Sequence, residues 1–163
     1  MRVIGFDPSI VHTGYAILDG GRLVMHGVIE IPPMAEGQTI IADRLCFLME
    51  EVEKLIVTYQ PKRAAVEMPP PFSYSRSTDK SKGKALNTES IQKNMAATGV
   101  IAAVLRKNGI QVQERYAHEW KTDRGRGMNK ATMISLARST FPVLKNRSIT
   151  DHEADAICLA ALI

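Results

Sequence analysis

The sequence predicts an α/β fold built on a mixed five-stranded sheet, three antiparallel strands followed by two parallel ones, with helices packed against it. Three observations carry this. Residues 3–6 and 15–18 are apolar runs of strand type only a few residues apart, and the loosely alternating residues 23–31 follow, the pattern of consecutive hairpins. Residues 63–67 and 111–116 are short strand-like runs, each preceded by a long segment of helical period, as crossovers between parallel strands require. Two further helical patterns close the chain with no strand after them.

Each element follows from its residues. Val3 to Phe6 suit a central strand buried on both sides. Asp7 ends the run, and Pro8 cannot donate to a ladder. Asp7 is open to two interpretations: a turn-forming Asp-Pro, or a buried acid whose desolvation a metal or hydrogen-bond network offsets. Asp19-Gly20-Gly21 supplies a turn that tolerates positive φ, and residues 23–31 extend the antiparallel set to Pro32-Pro33. Over residues 39–59, Ile40, Ile41, Leu45, Leu48, Met49, Val52, Leu55 and Ile56 share one helical face, and Gln60-Pro61 stops the helix. The strand at 63–67 again finishes in an acid, Glu67, before the prolines 69–71. A helix over 88–107 has a small-residue centre, Ala96-Ala97-Thr98-Gly99 to Ala102-Ala103, open to burial within the chain or to a second copy. Gly109 ends it ahead of the strand at 111–116. Asn129 caps a helix over 130–141, Pro142 stops it, and the last helix covers 151–162.

The 163 residues fit one domain, 1–163, with a sizeable core. With 45% hydrophobic and 23% charged residues, the composition is that of a globular protein and argues against disorder. Cys46 and Cys158 fall inside helical patterns and are expected as buried, reduced thiols, with no zinc motif. No apolar run approaches a membrane span, and the chain enters a core strand directly without a signal peptide. These features point to a soluble, cytoplasmic protein with no membrane partner.

The net charge of +4 matters only if it is clustered, and it clusters twice. Phe72, Tyr74, Arg76, Lys80, Lys82 and Lys84 lie in a loop-like stretch whose only acid is Asp79. Such a run is either a solvated loop or a nucleic-acid contact, in which lysines neutralise phosphate and aromatics stack on bases. Between Arg115 and Lys130 there are five basic residues (Arg115, Lys121, Arg124, Arg126 and Lys130) against two acids, with two glycines that let a backbone approach a ligand.

The final helix adds the third acidic position. Positions three and four apart share a helical face, so Asp155 stands beside His152 and Asp151. Asp151 also suits an ordinary N-cap, Glu153 a solvent-facing place, and His152 a satisfied, non-ligating histidine. Asp7, Glu67, Asp155 and His152 together form a hard-ligand set suited to Mg²⁺ or Mn²⁺. Two such ions about 4 Å apart serve phosphodiester hydrolysis.

Gly5-Phe6-Asp7-Pro8-Ser9 with Thr13-Gly14, Val66-Glu67, and His152-Glu153-Ala154-Asp155-Ala156 resemble the RuvC-type Holliday-junction resolvases of the RNase H-like superfamily. The resemblance covers nearly the whole chain in order and spacing. It implies an RNase H-like fold and a Mg²⁺-dependent endonuclease with two ions. Such an enzyme nicks four-way DNA junctions symmetrically as a homodimer, leaving 5′-phosphate and 3′-hydroxyl ends. By the resemblance Asp7, Glu67 and Asp155 match the catalytic acids. His152 falls at a fourth ligand position, with Asp151 an offset alternative. Lys121 and Lys130 match lysines near the scissile phosphate, and Phe72 lies near an aromatic that wedges into the junction. The stretch from Phe72 to Asn87 looks longer and more basic than is usual in the family. That departure hints at looser selection among branched DNAs, as in phage or viral relatives, and so at a bacterial or phage-infected cell. Other functions the residues leave open are a fork, flap or RNA nuclease of the same fold, and a non-catalytic binder of DNA structure. Residues 7–14 also resemble the phosphate loop of actin-like ATPases and sugar kinases, which need two such subdomains.

Overall fold

A computed structural model describes residues 1–32, 40–69, 88–121 and 129–163. Its elements are β1 (Arg2–Asp7), β2 (His12–Asp19), β3 (Arg22–Glu30), α1 (Ile40–Tyr59), β4 (Arg63–Met68), α2 (Thr88–Lys107), β5 (Gln111–Tyr116), α3 (Ala117–Trp120), α4 (Lys130–Thr140) and α5 (Asp151–Ala160), with a 3₁₀ turn at Pro142–Leu144. The sheet has the order β3-β2-β1-β4-β5. β1 pairs antiparallel with β2 and parallel with β4, so it is the central strand that its apolar run predicts. Antiparallel β2–β3 and parallel β4–β5 complete the mixed sheet.

The pleat sends alternate residues to opposite faces. Ile4, Phe6, Ile17 and Val66 meet Leu48 and Val52 of α1 and Ala97, Ile101 and Leu105 of α2. Val3, Ala16, Leu18 and Ala65 meet Ala154, Ile157 and Leu159 of α5, with Met133 and Ala137 of α4 behind. Turn chemistry follows the sequence: Gly20, Gly21 and Gly109 all take positive φ, as does Gln60 at the end of α1.

Four expectations need correction. Cys46 is exposed while Cys158 is buried. Two residues from buried Leu48, Cys46 is turned roughly 200° around the helix, away from the sheet. Ile41 is 42% exposed because it belongs to the first turn of α1, ahead of the residues that pack. The small-residue centre of α2 contradicts neither alternative: Ala97 and Thr98 are buried, whereas Gly99 and Ala103 are exposed. At the last helix the N-cap is Thr150 rather than Asp151, and Glu153 faces inward. The short helix α3 and the 3₁₀ turn carry too few residues to show a period in the sequence.

Candidate active site

β1 and β4 run parallel with Phe6 opposite Val66, so the next residue of each strand, Asp7 and Glu67, emerges at the same end of the sheet. α5 brings Asp155 to that end. It comes close because β1 and β2 offer it glycines: a Cβ on Gly5 would lie 2.3 Å from the carbonyl oxygen of Ala156, and one on Gly14 2.1 Å from that of His152. Ala154, Ala156 and Ala160 are fully buried, which keeps the contacting side of α5 slim.

Asp7, Glu67 and Asp155 each present one carboxylate oxygen within 4.8 Å of the others'. Lys121, just after α3, places its ammonium 2.9 Å from Asp155 Oδ2 and 3.3 Å from Glu67 Oε1. The compensation is partial. Glu67 Oε2 and Asp155 Oδ1 are buried without a hydrogen bond among the described residues. Burial, reinforced by Asp7 and Asp155 and opposed by Lys121, pushes the Glu67 carboxyl up to about 7. Burial also raises that of Asp155. Burial pulls the Lys121 ammonium down, but Glu67 and Asp155 together hold it above its ordinary value.

His152 Nδ1 donates to Asp7 Oδ2 at 2.6 Å, and that hydrogen bond holds the imidazole above its usual pKa. His152 therefore joins the acids through Asp7. Asp151 does not stand among them: its carboxylate pairs with Lys130, an exposed residue at the start of α4, and this hydrogen bond lowers its pKa. Lys130 thus lies beside the cluster through a neighbour rather than within it. Phe72, Tyr74, Arg76, Lys80, Lys82, Lys84, Arg124 and Arg126 lie outside the described residues.

The last helix is held from behind by groups that the sequence analysis assigned no role. Thr150 Oγ1 accepts from the Glu153 amide at 3.2 Å, and Glu153 Oε2 accepts from the Thr150 amide at 2.8 Å. Glu153 Oε1 also accepts from His26 Nδ1 at 2.7 Å, across to β3. Burial raises the Glu153 carboxyl, but the bonds from Thr150 and His26 outweigh it and hold it low. The Thr-x-x-Glu spacing is a capping-box signal visible in the sequence. On the strand side, Thr13 donates to the Ser9 carbonyl at 2.7 Å and accepts from the Ser9 amide at 3.1 Å, tying down the loop after Asp7.

The chain is similar to known proteins over nearly its whole length. The family model described as crossover junction endodeoxyribonuclease RuvC matches residues 3–162. A curated relative of that name from Synechocystis is 31% identical over 169 residues, covering 99% of this chain and 90% of its own. One from Brachyspira hyodysenteriae is 29% identical, covering 98% and 91%. Among solved structures, Thermus thermophilus RuvC in complex with a Holliday junction substrate superposes with a TM-score of 0.72 at 21% identity, covering 99% and 90% of the two chains. The yeast mitochondrial Holliday junction resolvase Ydc2 gives a TM-score of 0.56 at 12% identity, covering 98% and 77%. These structural likenesses establish the shared RNase H-like fold.

Proposed function

Because this chain belongs to the RuvC family of crossover junction endodeoxyribonucleases, we propose that Asp7, Glu67 and Asp155 are its catalytic carboxylates and hold two Mg²⁺ ions for cutting four-way DNA junctions. The observation that carries this is the pair of buried carboxylate oxygens, Glu67 Oε2 and Asp155 Oδ1, that lack a hydrogen bond among the described residues, Glu67 Oε2 having only the Lys121 ammonium 3.3 Å away. Buried anionic oxygens are costly, and a hard cation offsets that cost. A donor set dominated by carboxylate oxygen favours Mg²⁺ or Mn²⁺ over softer metals. Such ions, when bound, supply water activation and stabilise charge on the leaving oxygen.

The protein's own groups do the rest. His152 fixes the Asp7 carboxylate through Nδ1 and keeps its other ring nitrogen for substrate or a cation. The Lys121 ammonium limits repulsion between Glu67 and Asp155 and stands ready to meet a phosphate oxygen. Lys130, 80% exposed and held by Asp151, reaches toward the same phosphate backbone. Phe72, Tyr74, Arg76, Lys80, Lys82, Lys84, Arg124 and Arg126 supply stacking and phosphate contacts in this proposal, on the strength of their residue types alone.

Two symmetric nicks need two active sites, so the working unit is a two-fold homodimer. The outer side of α2 supports this: Met95 is 45% exposed, and a Cβ on Gly99 would meet nothing within 4 Å among the described residues. The deciding experiment is Asp7→Asn on a synthetic four-way junction. It abolishes Mg²⁺-dependent paired nicking and leaves junction binding largely intact; retained cleavage refutes the assignment.

A further inference from the structure

We propose that a groove beside His12 holds one nucleotide of the cleaved strand, with Arg44 binding its phosphate. This extends the resolvase assignment and rests on it. The groove has a volume of about 410 Å³ and is lined by Val11, His12, Glu30, Ile31, Pro32 and Arg44. It lies at the end of the sheet where β1 delivers Asp7, since His12 opens β2 and Glu30 closes β3 opposite it.

Continuity with the acid cluster runs through two imidazoles. The rings of His12 and His152 stack with centroids 6.3 Å apart and planes inclined by 29°. His152 in turn bonds Asp7. A strand with its reacting phosphate at Asp7 therefore has a neighbouring nucleotide beside His12.

The groove is built rather than incidental. Ile31 donates its amide to the Val11 carbonyl at 3.0 Å, and Ser9 Oγ accepts from the Val11 amide at 3.3 Å. Ile31 is 5% exposed and gives the groove an apolar floor for sugar and base. Arg44 supplies the polar end. Its Nε is buried with no hydrogen bond among the described residues. A buried guanidinium donor without an acceptor is unfavourable, and a phosphate presents two oxygens in the geometry that guanidinium matches. Glu30 repels phosphate from its own end, so the phosphate sits at Arg44. The Glu30 carboxylate suits an exocyclic amino group, as cytosine and adenine carry.

The test is junction binding and single-turnover cleavage for wild type, Arg44→Ala and Arg44→Gln, using a synthetic four-way junction over a range of salt. Both variants are expected to weaken binding roughly tenfold and to reduce the salt slope by about 0.7–0.9, one phosphate contact. Single-turnover cleavage at subsaturating enzyme falls with the lost binding. A methylphosphonate next to the scissile phosphate should reproduce the loss in wild type and add nothing in either variant. An unchanged slope in both variants, or additive losses with the methylphosphonate, overturns the subsite. A wild type that fails to nick junctions defeats the resolvase assignment instead, so the two failures are distinguishable.

Discussion

Gly14 and His152 touch backbone to backbone: a Cβ on the glycine would stand 2.1 Å from the histidine's carbonyl oxygen. The second strand therefore sets how near α5 comes to Asp7. Gly14→Ala forces a shift of the helix and costs about 1–3 kcal/mol, as overpacking does. The shift carries His152 and Asp155 with it, so Mg²⁺-dependent nicking falls further than the lost folded fraction explains. Urea melts beside cleavage rates check this.

Glu67→Gln separates metal binding from folding. The substitution removes one of three crowded carboxylates, so the metal-free protein gains thermal stability. At the same time the rise in Tm on adding Mg²⁺ shrinks, and nicking drops by about 100-fold or more. Thermal melts with and without Mg²⁺ read both signs in one experiment.

Stability of the metal-free protein should fall as pH rises from about 4.5 to 7. Over that window folded Glu67 keeps a proton that the unfolded chain, with its ordinary value of 4.5, has released. Its contribution is fully present below 4.5 and lost through about 7. Asp155, raised by burial, acts in the same direction, and His152, raised by Asp7, continues the decline above 6.5. Saturating Mg²⁺ flattens the profile, and Glu67→Gln removes its lower part. Melting temperature against pH measures it.

Glu153→Ala removes the capping box and leaves His26 without its 2.7 Å partner. The expected cost is about 1–2 kcal/mol. Glu153→Gln, which keeps an acceptor for the Thr150 amide, recovers part of it. Chemical denaturation of the two variants ranks them.

Gly99→Arg tests the dimer. Among the described residues a Cβ at this site meets nothing within 4 Å, so the arginine is expected to cost little within the monomer. Sedimentation should show wild type as a dimer and the variant as a monomer. A wild-type monomer at working concentration rejects α2 as the interface.

Much of this molecule was legible in one dimension because the signals are local. The apolar run before Asp7, the prolines after Glu67 and the helical period around Leu48 each report on a few neighbouring residues, and their elements came out within a residue or two at most ends. The last helix is shorter than its pattern, ending at Ala160, and α4 ends at Thr140 with Phe141 as its cap. Glu153 was misjudged because polarity suggested solvent, although the Thr150-x-x-Glu153 spacing held the answer.

The order of strands and helices, and the identity of the acids that close them, were determined by the sequence itself, since backbone propensity and hydrophobic period act over a few residues. Only the tertiary structure decided that Lys121 would sit between Glu67 and Asp155, that Asp151 would turn to Lys130, and that His12 would lie on His152. Those pairings join residues far apart in the chain. Which side chains meet there depends on how closely α5 can approach a glycine-bearing sheet, a distance that no local pattern encodes.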